Sequence, residues 1–131
     1  MSIIHKKLTK RERPMHYILV NKKPVPVYDL LEWARKFEVS DRRVKLTKLR
    51  LHYVSTVFLG LDHNFNPNGK PLLFETMVFK NRISELDFNG RKVKINKSVD
   101  KDGYFARYSS YANALKGHAN ILRLVKKLEK K

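Results

Sequence analysis

Cysteine is absent from this 131-residue chain. Its absence excludes a disulfide framework, a thiolate zinc site and a cysteine nucleophile, and it suits a reducing compartment. Apolar runs last only a few residues, well short of the roughly 20 needed to cross a bilayer as a helix, so no membrane partner is expected. No repeat period, low-complexity tract, P-loop, zinc finger, helix-turn-helix or RNA-recognition signature is present. Nothing in the sequence calls for a metal or another cofactor. Acidic residues are scarce: 12 Asp and Glu stand against 29 Lys and Arg, for a formal net charge of +17. Such an excess commonly marks a protein that meets nucleic acid or another polyanion. The plainer source is a lysine-rich proteome in which many proteins drift basic.

What is present suffices for one domain. The chain is 42% hydrophobic, spread over Val, Ile, Leu, Phe and Tyr, which is enough for a single core. The opening MSIIHKKLTKRERP is basic and lacks the apolar stretch of a secretory signal, so residues 1–14 read as an arm and 15–131 as the domain. MHYILV, residues 15–20, predicts a first strand, and Asn21 to Pro24 a turn. Pro24 and Pro26 then keep the chain extended and postpone any helix. Asp29 followed by Glu32 resembles a capping box, opening a helix whose apolar stripe is Leu30, Ala34 and Phe37, widened by Leu31 and Trp33. Ser40 and Asp41 end it.

Residues 43–53 alternate basic and apolar side chains, as a half-buried strand or strand pair would. Val54 to Phe79 reads as two apolar strands joined by a loop over 64–71, where Asn66-Pro67-Asn68-Gly69 is strong turn chemistry. Residues 80–103 are the least globular part, a basic insert at about 81–103. Within it, DFNGRKVKIN predicts a short ribbon turning at Asn89-Gly90. Tyr104 to Tyr108 is a last strand, and Ser109 or Ser110 caps a terminal helix with the stripe Tyr111, Leu115, His118, Leu122 and Val125. The expected fold is α+β: a single domain with an antiparallel sheet of about four to five strands packed with two helices, in the order β-α-β-β-β-β-α.

Four segments carry a resemblance: DLLEWARKFEVSDRRV (29–44), VSTVFLGLDHNF (54–65), PLLFETMVF (71–79) and RYSSYANALKGH (107–118). In this order they resemble a family of small uncharacterised proteins of tailed bacteriophages and prophages. The resemblance implies a phage or prophage origin, hence the cytoplasm of a bacterial host, and a shared fold. It implies no mechanism. The arm and the insert are longer and more basic here than in the family pattern.

Three constellations are candidate sites. Asp62, His63 and Glu75, with His118 as a fourth, are residue types that bind Zn, Mn or Fe or divide acid and base roles. Adjacent strand residues face opposite sides, however, so only one of Asp62 and His63 readily joins Glu75. Gly60 is a candidate cross-strand neighbour that would leave room for a carboxylate or ligand. The structural alternative has Asp62 and Asn64 organising the turn, Glu75 paired with an Arg, and His118 as a satisfied core histidine. The second constellation is Arg42-Arg43 behind the helix end, which would cradle a phosphate or neutralise Glu75 or Asp62. The third is the basic surface. It comprises Lys6, Lys7, Lys10, Arg11 and Arg13 in the arm, and Lys45, Lys48 and Arg50 on the strand. It continues through Arg91, Lys92, Lys94 and Lys97 in the insert, and Arg123, Lys126 and Lys127 on the last helix. Tyr104, Tyr108 and Tyr111 are candidates to stack on bases, or to pack half-buried at a sheet edge.

The function expected from these features is a small non-enzymatic phage accessory protein that binds nucleic acid or a host nucleoprotein complex, with an anti-defence or host-takeover role suiting such an origin. One alternative is a small metal-dependent enzyme or nucleotide binder built on Asp62, His63, Glu75, Arg42 and Arg43. Another is a protein-interaction module, homodimeric through an exposed sheet edge.

Overall fold

The computed structural model describes residues 13–130. The chain forms β1 (Tyr17–Val20), β2 (Lys23–Pro26), α1 (Leu30–Val39), β3 (Arg43–Lys48), β4 (His52–Phe58), β5 (Phe74–Phe88), β6 (Arg91–Ser98), β7 (Phe105–Tyr108) and α2 (Tyr111–Glu129). It is an α+β domain with two helices and a five-stranded antiparallel sheet, as the sequence led us to expect, and it carries a separate two-stranded sheet besides. Residues 1–12, and with them Lys6, Lys7, Lys10 and Arg11, lie outside the described residues.

Strand β2 was not expected. Asn21 and Lys22 both adopt positive φ (51° and 68°), the geometry of a tight two-residue hairpin turn, and place Leu19 opposite Pro24 and Tyr17 opposite Pro26. The two prolines sit two residues apart, so the missing donors fall on one side of the strand. The odd-numbered residues keep theirs: Val27 N–H reaches His16 O at 2.9 Å.

Asp29 caps α1 as predicted, accepting from the N–H groups of Leu31 and Glu32 (3.0 and 3.1 Å). Glu32 does not complete the box but pairs with Lys36 one turn on. The apolar stripe differs from expectation. Leu30 and Leu31 are 58% and 73% exposed, Ala34 is exposed too, and the helix attaches through Trp33 and Phe37 instead. Trp33 donates to Tyr17 O (2.8 Å) and stacks on Phe37, and Phe37 lies against Gly60. The ring therefore occupies the space that sequence reasoning reserved beside Gly60 for a carboxylate, and the cross-strand neighbour of Glu75 is Val57.

In the large sheet the order is β3-β4-β5-β6, and β7 pairs the start of β5 on the β6 side. The β4–β5 register sets Phe58 opposite Phe74, Thr56 opposite Thr76 and Val54 opposite Val78. Because side chains alternate, these even-numbered residues share one face, and all six are buried beneath α2. Helix α2 starts at Ser110, whose hydroxyl accepts from Asn113 N–H (3.1 Å), and buries Ala114, Gly117, His118, Ile121 and Val125. This face is rotated from the predicted stripe, leaving Leu115 exposed, because the close contact runs through Ala114 and Gly117. A Cβ on Gly117 would overlap the Tyr108 hydroxyl, which accounts for a glycine in the middle of a helix.

The segment expected to be least globular is regular over residues 80–98. Strand β5 runs on through Phe88, turns at Asn89 and Gly90 (φ 53° and 79°) as predicted, and returns as β6. Beyond Asn81, whose N–H reaches Leu51 O at 2.9 Å, β5 pairs only with β6 among the described residues, so a two-stranded ribbon projects from the sheet.

Candidate nucleic-acid interface

The polar residues of the first constellation do not converge. Asp62 sits in the loop between β4 and β5 and is 2% exposed. One of its oxygens accepts from the N–H groups of Asn64 (2.8 Å) and Leu72 (3.0 Å), and the other meets Arg13 Nε at 2.5 Å. Arg13 also donates to the carbonyls of Asn64, Asn66 and Pro67 (2.6, 3.0 and 3.0 Å). Thus Arg13, counted in the sequence among the phosphate-binding cations, is instead the clamp of this loop. His63 Nδ1 lies 2.8 Å from Leu61 O, a local contact. Glu75 lies on the sheet face away from α2, opposite Arg107, and binds it at 3.1 Å. Its partner is neither Arg42 nor Arg43, the two that the sequence suggested. Among the described residues, no three His, Asp or Glu side chains form a metal-ligand group.

His118 lies on the other face of the sheet from Glu75 and is 1% exposed. Its Nδ1 is 2.7 Å from Thr56 Oγ1, its Nε2 is 2.8 Å from Thr47 Oγ1, and Thr56 Oγ1 is 2.6 Å from Thr76 Oγ1. A neutral ring suits this chain of hydroxyls, since one ring nitrogen donates and the other accepts. Burial holds the His118 pKa below its ordinary value, and the charge of Lys45 on the same sheet face adds to the effect. The residue is a satisfied core histidine. The Tyr108 hydroxyl closes the same layer. Burial raises its pKa, an effect partly offset by Thr76, although it has no hydrogen bond of good geometry. Tyr104, Tyr108 and Tyr111 all pack on the core, so none presents a ring to a base.

The cations divide by position. Arg42 lies over the Phe37 ring (4.3 Å), and Arg50 reaches the last turn of α2 near Glu129. Glu129 itself takes the Leu51 N–H (3.0 Å) and His52 Nδ1 (2.9 Å). Burial alone would raise its pKa, but these bonds hold it below the usual value. Lys45 points to the helix side, while Arg43 and Lys48 belong to the opposite face. Arg91, Lys92 and Lys94 are exposed on the ribbon, as are Arg82 and Lys97; Lys92 makes a long pair with Glu85 (3.6 Å). Register gives the ribbon two faces: Leu86, Phe88, Val93 and Ile95 on one, with Arg91 opposite Phe88, and Glu85, Asp87, Lys92 and Lys94 on the other.

No described element covers the sheet face opposite α2, and sequence reasoning passed over it. Three rows cross it: Arg43, Val57, Glu75 and Arg107; then Leu46, Ser55, Met77 and Phe105; then Lys48, Tyr53, Phe79 and Ser98. None of these is buried, and Phe105 is 45% exposed. Tyr53 and Phe79 stack across the strands at 5.0 Å with planes 19° apart. The Arg107 guanidinium lies 5.1 Å from the Phe105 ring. The signal was the alternation itself: both faces of β4 and β5 carry large apolar residues, whereas α2 covers one.

The chain matches no protein-family model, no curated protein and no solved structure.

Proposed function

We propose that the protein binds nucleic acid through its basic surface without acting on it chemically, as a small accessory protein of the phage type suited to anti-defence or host takeover. The observation that carries this reading is where the acids go. Asp29 caps a helix, Asp41 accepts from Arg43 N–H, Asp62 holds Arg13, and Glu129 holds His52 and Leu51. Glu32, Glu75 and Glu85 each take one nearby cation. Among the described residues ion pairs engage Arg13, Lys36, Lys92 and Arg107, which leaves most of the described Lys and Arg without an acidic partner. A field of unpaired surface cations is what a phosphate backbone neutralises. The ribbon concentrates it, with five Lys and Arg against two acids on an element that projects from the sheet.

Fluorescence anisotropy with labelled oligonucleotides tests the reading. Replacing Arg91, Lys92 and Lys94 together with Glu should weaken binding of every sequence alike, by at least tenfold at low salt. An unchanged affinity would remove the ribbon from the interface.

A second reading rests on the ribbon's other face. Phe88 is 67% and Val93 43% exposed, an apolar strip that a second copy of the chain would cover. Light scattering distinguishes a dimer from a monomer.

A further inference from the structure

We propose that the open face of the five-stranded sheet is a platform for single-stranded nucleic acid, with unpaired bases stacking on Tyr53, Phe79 and Phe105. This rests on the nucleic-acid reading above and assigns it a site and a strand form. The stacked pair Tyr53–Phe79 brings two rings together across β4 and β5. A base set against either outer face continues the stack, and stacking is indifferent to sequence because every base has a π-face. Phe105, one row away on β7, provides a third ring at the sheet's other side. Beside the stacked pair lies a depression of ≈ 560 Å³ whose lining mixes the apolar Leu46, Tyr53, Phe79 and Ile83 with the cations Arg43 and Lys48 and the polar Ser55, Asn81 and Asn96.

Charge decides what kind of strand fits. Arg43, Lys48 and Arg107 flank the rings, and Glu75 is the carboxylate among them, so the face is net positive around an apolar centre. An apolar protein partner would gain nothing from those flanking cations. A duplex turns its phosphates outward and keeps its bases stacked inside, so it meets the cations but not the rings. A single strand offers both phosphate and exposed base edge-on to such a surface. The side-chain amides on this face spend N–H donors on the backbone. Asn81 Nδ2 donates to Leu49 O (2.6 Å) and Asn96 Nδ2 to Lys80 O (3.1 Å). Recognition on this face is accordingly of strand form and not of sequence.

The test uses the full chain with a labelled dT 12-mer and the corresponding dA·dT duplex, in parallel with thermal melting. Tyr53→Leu with Phe79→Leu, and separately Phe105→Leu, keep apolar bulk and remove the π-faces. Each should weaken single-strand binding about tenfold while leaving duplex affinity within twofold and melting unchanged. Should a variant melt early, ultraviolet crosslinking of the unaltered protein to an iodouracil-substituted strand decides the matter by mass spectrometry. Adducts at Tyr53, Phe79 or Phe105 support the platform, and adducts confined to the ribbon overturn it. Unchanged single-strand affinity in both variants also overturns it, yet leaves nucleic-acid binding standing. Failure of the unaltered chain to bind either probe overturns both.

Discussion

Replacing Arg13 with alanine should destabilise the domain far more than loss of one residue at the edge of a basic arm would suggest. Arg13 is 16% exposed in its side chain and Asp62 0%, and the two meet at 2.5 Å across 49 residues of sequence. Removing one partner of a buried pair costs about 3–5 kcal/mol, because the remaining charge stays out of water. Of the three carbonyls that Arg13 also serves, those of Asn66 and Pro67 are exposed, so water replaces their bonds at little cost, while that of Asn64 is partly buried. The partial exposure of Arg13 and the two N–H groups still held by Asp62 put the loss at the low end, about 3 kcal/mol. That is on the order of 10 °C in melting temperature for a domain of this size. Asp62→Asn should cost about 2 kcal/mol, since the amide oxygen keeps the Asn64 and Leu72 bonds while the amide nitrogen faces the guanidinium. Because each substitution breaks the same interaction, the double variant should fall well short of the sum, with a coupling of at least about 1.5 kcal/mol by urea denaturation. Additive losses would refute the clamp.

Two further substitutions test the layer beneath α2. His118 has a depressed pKa in the fold, so the unfolded chain binds its proton first. Stability should therefore fall as pH drops below about 6.5 and level off once the folded ring titrates, with no contribution above neutrality. His118→Gln should flatten that slope between pH 7.5 and 5.5 in thermal melts, and an unchanged slope would place the titration elsewhere. Gly117→Ala should lose about 1–2 kcal/mol despite the helix preference for alanine, because the new methyl overlaps the Tyr108 hydroxyl. In a Tyr108→Ala background, where ring and hydroxyl are both gone, the same substitution should cost nothing or stabilise, whereas an equal loss in both backgrounds would rule out the overlap.

Local chemistry was readable from sequence, and long-range pairing was not. The caps at Asp29 and Ser110 and the turn at Asn89-Gly90 depend on neighbours within three residues, and all three form. Strand β2 was missed because Pro24 and Pro26 weigh against pairing unless their nitrogens face outward, which depends on the register with β1. The fate of Asp62, Glu75 and His118 turned on partners 49, 32 and 62 residues away, and nothing near them in sequence names Arg13, Arg107 or Thr56. The same holds for the open sheet face. Tyr53, Phe79 and Phe105 look like core residues until the topology supplies one covering helix for two apolar faces.

Unpaired surface cations that bind a phosphate backbone make affinity fall as salt rises, and a salt titration with a single-stranded oligonucleotide measures that fall. If four or five phosphates are neutralised, the slope of log affinity against log salt should be about −3, a loss of nearly 100-fold between 50 and 200 mM. An affinity that stays flat across that range, or no binding at the lowest salt, would contradict the account.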